Sequence, residues 1–167
     1  MKVDHSGSIA VGGDITAMFR GAVKFNLDVK GRMAIPAKFR RLLEICCEGR
    51  VVVTVDHAEH CLQMYPESEW EQVERKLVSL PSLDPKVRQL KRILMGNAAE
   101  CEMDKNGRIL LPSKLREYAN LEKEVVMSGQ GNKFEIWDET AWDSMIEEPV
   151  EMHFDEGLPT TLQDLSI

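Results

Sequence analysis

An α+β fold built from two tandem copies of one unit is predicted by three features of this 167-residue chain. The phrase DVKGRMAIPAKFR, Asp28 to Arg40, returns 76 positions later as DKNGRILLPSKLR, Asp104 to Arg116. A β-rich run follows each phrase, VVVTV at 51–55 and VVMSG at 125–129. Both halves then close alike, on LQMYPESEW and FEIWDETAW. A chain of this length can bury one respectable core or two small ones packed together, so two half-size units are feasible.

Taken in order, residues 1–17 are expected to be an N-terminal extension and 18–80 the first repeat. Alternating Val23, Phe25 and Leu27 predict a strand that runs into a tight turn. There Asp28 holds the backbone through its side chain and Gly31 supplies a positive φ. Arg32 then begins the returning strand. Pro36 precedes a helix where its missing N–H is harmless, and Phe39, Leu42 and Leu43 mark that helix's apolar face. The second copy repeats this with Met103, Asp104, Gly107, Arg108 and Pro112, then Leu115, Tyr118 and Ala119. After the second apolar strand of each half, Ser68 and Asp138 are expected to cap helices carrying Trp70 and Trp142. Between the repeats, 81–99 predicts a linking helix with Asp84 as cap, Pro85 in the first turn and Val87, Leu90, Ile93 and Leu94 on one face. The second repeat spans 100–148, and 149–167 form an acidic tail.

Composition narrows the function classes. Apolar residues are 43% and charged residues 29%, the balance of an ordinary globular protein. No stretch approaches the roughly 18 apolar residues of a spanning helix, and the first residues lack the pattern of a secretory signal. Cysteines 46, 47, 61 and 101 form no C-x-x-C pair, so reduced thiols are expected. His57, His60 and Cys61 could share a metal only with further ligands that the sequence does not offer nearby, and no metal or cofactor is expected. The net charge is −7, yet 20–41 hold seven bases (Arg20, Lys24, Lys30, Arg32, Lys38, Arg40, Arg41) against Asp28 alone. From Asp138 onward there are nine acids and no base. An acidic protein can therefore still present a local basic surface.

MFRG at 18–21, NLDVKGR at 26–32, the doubled Asp-x-x-x-Arg and KFEIWDETAW together resemble the MraZ family of bacterial transcriptional regulators, from Met18 to about Glu148. The resemblance implies two AbrB-like swapped-hairpin β-barrel repeats with short flanking helices, related by pseudo-twofold symmetry. It implies subunits assembled into an octamer-like ring, acting in the cytoplasm on the nucleoid. It also implies binding to short direct repeats in double-stranded promoter DNA, usually to repress the division and cell-wall gene cluster. Asp28 with Arg32, and Asp104 with Arg108, would be the DNA-contacting turns. Because the resemblance starts at Met18, residues 1–17 are expected to be vector-derived or mis-annotated.

The residue chemistry suits that reading. Arginine presents a planar fork to phosphate or to guanine O6 and N7, which lysine cannot copy. Asp28 and Asp104, with Gly31 and Gly107, are expected to organise the turns. Lys30 and Lys105 at the tips, with Arg20 and Lys24 leading in, are expected to add phosphate contacts that position without specifying. Arg40 and Arg116 are expected at a surface or an interface. One bidentate contact gives about 1–3 kcal/mol of discrimination, too little to choose a site alone, so the turn is copied within the chain and around an oligomer. The first turn, richer in bases, is expected to contribute more per contact. An enzyme is disfavoured, since neither repeat gathers a nucleophile with a base. A pure assembly module, its basic turns paired with acidic tails, is the remaining rival, and a tail that competes with DNA for the turns is a related expectation.

Overall fold

The computed structural model describes residues 18–148. In the first half, β1 (Phe19–Asn26), β2 (Arg32–Ala34), α1 (Ala37–Cys47), β3 (Arg50–Val55), β4 (Leu62–Pro66) and α2 (Glu67–Ser79) follow one another. After α3 (Pro85–Leu94), the second half repeats the pattern as β5 (Ala99–Glu102), β6 (Arg108–Leu110), α4 (Ser113–Tyr118), β7 (Glu124–Gly131), β8 (Phe134–Asp138) and α5 (Glu139–Glu147).

The strands flanking each turn pair with the opposite repeat instead of with each other. β1 runs antiparallel to β7, β5 to β3, and β2 to β6. The hairpins are thus swapped, and a pseudo-twofold axis passes where Met33 faces Ile109 and Gln63 faces Glu135. Six strands form one antiparallel sheet in the order β1-β7-β8-β4-β3-β5, with β2-β6 as a separate two-stranded ribbon. The expected barrel closure does not occur among the described residues. β2 and β6, three residues each, pair only with one another, and the six-stranded sheet ends at β1 and β5.

The main core lies between one face of the sheet, the ribbon and helices α1 and α4. Val51, Val53 and Val55, Val125 and Met127, and Met33 and Ile109 meet there. Phe19, Phe39 and Phe134 join β1, α1 and β8, with ring centroids 4.2 Å apart for Phe19–Phe134 and 4.8 Å for Phe39–Phe134. On the opposite face, α2 seats Trp70 against Val52 and Tyr65, and α5 brings Trp142 toward Val126 and Trp137. Burial on both faces explains why β3 reads as a near-continuous valine run and β7 carries Val125, Val126 and Met127 in succession.

Asp138 caps α5 by accepting from the Ala141 N–H at 3.2 Å, and Asp84 caps α3 by accepting from Lys86 N–H at 2.8 Å. Ser68 caps nothing. Pro66 ends β4 and starts α2 directly, so Ser68 lies inside the first turn, where Glu67 and Glu69 oppose the positive helix end. Pro36 and Pro112 stand at the N-cap positions of α1 and α4. Val87, Leu90, Ile93 and Leu94 are half-buried, and Thr54 ties α3 to β3 by donating to the Leu94 carbonyl at 2.6 Å. No helix among the described residues is long and apolar enough to cross a membrane.

Candidate nucleic-acid interface

Asp28 builds the first turn. Its Oδ1 accepts from the backbone N–H groups of Lys30 and Arg32, both at 2.9 Å, and its Oδ2 accepts from Arg32 Nε at 2.6 Å. The Asp28 carbonyl accepts from Gly31 N–H at 3.0 Å, and Gly31 takes φ +80°, a turn followed by a left-handed residue. The Arg32 backbone N–H, the Arg32 side chain and the Lys30 N–H lower the Asp28 pKa to about 2, against some desolvation. The acid therefore organises the turn and clamps the arginine at once.

The second turn copies the first with a looser clamp. Asp104 Oδ1 accepts from Asn106 and Arg108 N–H at 2.8 and 2.9 Å, and Gly107 takes φ +72°. The Arg108 Nε stands 3.4 Å from Asp104 Oδ2, beyond good hydrogen-bond geometry, and has no hydrogen-bond partner among the described residues. The Asp104 pKa is likewise lowered, first by the Arg108 backbone N–H.

The ribbon sets the two arginines on one surface. In its register Arg32 faces Leu110, Met33 faces Ile109 and Ala34 faces Arg108. Met33 and Ile109 point inward and are fully buried. Strand alternation therefore turns Arg32, Ala34, Arg108 and Leu110 outward together. The arginines take diagonal corners of this face, with backbones about 8 Å apart by strand spacing and rise. Their side chains are 33% and 34% exposed.

Lys30 and Lys105 are exposed at the turn tips, and Arg20 is exposed on β1. Lys24, also on β1, is held by α5, with Nζ 3.2 Å from Glu139 and 3.0 Å from Asp143. His60 and Cys61 are apart in role: Cys61 is buried beneath Trp137, whereas His60 Nδ1 lies 3.2 Å from the Tyr118 carbonyl. No group of three His, Cys, Asp or Glu residues gathers among the described residues.

Arg40 and Arg116, expected at a surface or an interface, each lie against the turn of the opposite repeat. The Arg116 guanidinium fills the space a Cβ on Gly31 would occupy, and the Arg40 guanidinium does the same at Gly107. Arg116 Nε donates to the Leu111 carbonyl at 3.1 Å, and Leu111 N–H donates to the Gly31 carbonyl at 3.1 Å. Symmetrically, Arg40 Nη2 donates to Ile35 O at 3.0 Å, and Ile35 N–H donates to Gly107 O at 2.9 Å. Their identity in both copies of the phrase was the available signal.

Paired arginine turns, exchanged between two halves that share one sheet, define a tandem swapped-hairpin α+β protein. The sequence profile described as "MraZ protein, putative antitoxin-like" matches residues 18–93 and again 94–165. The chain is 57% identical over 126 residues to the transcriptional regulator MraZ of Nitrosococcus oceani, covering 75% of this chain and 85% of that one. It is 49% identical over 152 residues to the protein of that name from Idiomarina loihiensis, covering 90% and 100%. The corresponding protein of Pseudomonas aeruginosa is 48% identical over 149 residues, covering 89% and 99%. The chain belongs to the MraZ family, a family of transcriptional regulators and not of enzymes.

Proposed function

We propose that this chain is a sequence-specific DNA-binding transcriptional regulator whose two Asp-x-x-x-Arg turns contact promoter DNA. Several chains, joined in an octamer-like ring, would bind short direct repeats and repress the division and cell-wall gene cluster, in the cytoplasm and on the nucleoid. The observation that carries the reading is the outward ribbon face with Arg32 and Arg108 at diagonal corners. A two-stranded ribbon fits the major groove, about 12 Å wide, and guanine there offers O6 and N7 to an arginine fork. A spacing of about 8 Å corresponds to two or three steps of duplex at about 3.4 Å each. The bond from Arg32 to Asp28 uses Nε and spares the terminal amino nitrogens for such a contact. Lys30, Lys105 and Arg20 would add phosphate contacts, and Lys24 would join them on release from α5.

The test is retention of the DNA upstream of the protein's own gene, with native mass measured in parallel. Arg32→Ala with Arg108→Ala is expected to abolish retention at unchanged oligomer mass, and wild-type affinity is expected to fall linearly in log–log terms with salt. Normal retention by the double variant would remove the turns from the mechanism. The assembly-module reading draws support from Lys24, whose partners are the chain's own acids. It predicts the opposite split, with loss of oligomer mass and no specific shift.

A further inference from the structure

We propose that Arg116 and Arg40 are positioning residues that act across the repeat boundary: Arg116, from the second repeat, sets the first turn, and Arg40, from the first, sets the second. The inference rests on the reading that the turns contact DNA, and it concerns which residues give the contacting arginines their geometry.

The argument begins with the glycines. Gly31 and Gly107 both need the left-handed backbone, and a guanidinium from the opposite repeat lies where their Cβ would be. Each guanidinium is also tied down. Arg116 donates to the carbonyl of Leu111, whose own N–H donates to Gly31 O, so a chain of bonds links helix α4, the residue after β6 and the first turn. Arg40, Ile35 and Gly107 form its counterpart. Gly31 immediately precedes Arg32, and Gly107 precedes Arg108. A shift of either glycine therefore re-aims the arginine beside it.

The guanidinium suits this, because its rigid fork packs against a bare glycine while one of its nitrogens donates to a carbonyl. Lysine keeps the charge and loses the plane. The crossing also means that neither turn is complete within its own repeat, so the two contacts rise and fall with the join between repeats.

Double-mutant cycles on the full chain, with promoter DNA retention as the readout, separate this from a general structural role. Arg116→Ala is expected to weaken binding about tenfold, to add little to Arg32→Ala and to multiply with Arg108→Ala. Arg40→Ala is expected to show the reverse pairing. Arg116→Lys, which keeps the charge and guards against misfolding, is expected to remain weak at an unchanged unfolding midpoint. Amide hydrogen exchange of the free protein gives a second readout that needs no DNA. Arg116→Ala should speed exchange at Gly31 and Leu111 and leave Gly107 and Ile35 protected, with Arg40→Ala doing the opposite. Uncrossed coupling, full rescue by Arg116→Lys, or equal loosening of both turns would overturn the proposal. Unchanged retention in Arg32→Ala with Arg108→Ala would instead overturn the DNA reading, and the exchange pattern would still decide which residue sets which turn.

Discussion

Lys24 Nζ lies 3.0 Å from Asp143 Oδ2, so a base that leads into the first turn is already engaged by the acidic helix α5. Glu139 shares it at 3.2 Å. Glu139→Gln with Asp143→Asn is expected to release Lys24 for phosphate and tighten promoter binding. Its slope of log affinity against log salt should steepen by about 0.9, the value of one added phosphate contact. Titrations at several salt concentrations measure this; an unchanged slope would show that Lys24 does not reach the backbone. Thermal stability should barely move, since exposed pairs contribute little.

Gly31 and Gly131 share a positive φ, +80° and +85°, but differ in surroundings. A Cβ on Gly131 meets nothing within 4 Å, whereas one on Gly31 meets the Arg116 guanidinium. Gly131→Ala is expected to cost about 1–2 kcal/mol from backbone strain alone. Gly31→Ala should cost more, and the difference in urea unfolding reports the displacement of Arg116. Equal losses would mean that the guanidinium yields freely.

The carboxyl of Asp28 titrates near 2 in the folded chain, below an unfolded value of about 3.9. A depressed folded value stabilises the fold above the unfolded pKa and loses that contribution as pH falls toward the folded one. Wild-type unfolding free energy should therefore drop between about pH 4 and 2 more steeply than that of Asp28→Asn. Asp104, shifted in the same direction, adds to the slope. Parallel slopes for the two proteins would remove Asp28 as a source of acid sensitivity.

Phe134 is fully buried against Phe19 and Phe39. Phe134→Ala is expected to cost about 3–5 kcal/mol in chemical denaturation. Val29 at the first turn tip is fully exposed, and Val29→Ala should stay within about 0.5 kcal/mol of wild type. A large loss at Val29 would reveal a covering partner in solution.

Local chemistry made much of this legible. The doubled phrase marks both turns, where Asp28 and Asp104 accept from backbone N–H groups, and the spacing of Phe39, Leu42 and Leu43 marks a helix face on which Phe39 and Leu43 are buried and Leu42 packs at the core's margin. Strand exchange was not readable from the residues themselves, because alternation tells which face a residue takes and is silent about which strand lies alongside. A serine near an acidic first turn has the look of a cap, but Pro66 takes the N-cap position of α2 and leaves Ser68 inside the helix. The contacts of Arg40 and Arg116 with the turns are silent in the sequence for a related reason. Their partners are glycines in the other half, and a glycine carries no side-chain pattern to advertise a visitor.

At the midpoint of the ribbon Met33 faces Ile109. Two separate polypeptides, each with a single repeat and arranged about the same point, would have to set one residue against its own twin there. Covalent linkage of the halves removes that obligation. Either side can then be altered singly, which permits a tight clamp in one turn and a slack one in the other within a single near-symmetric body.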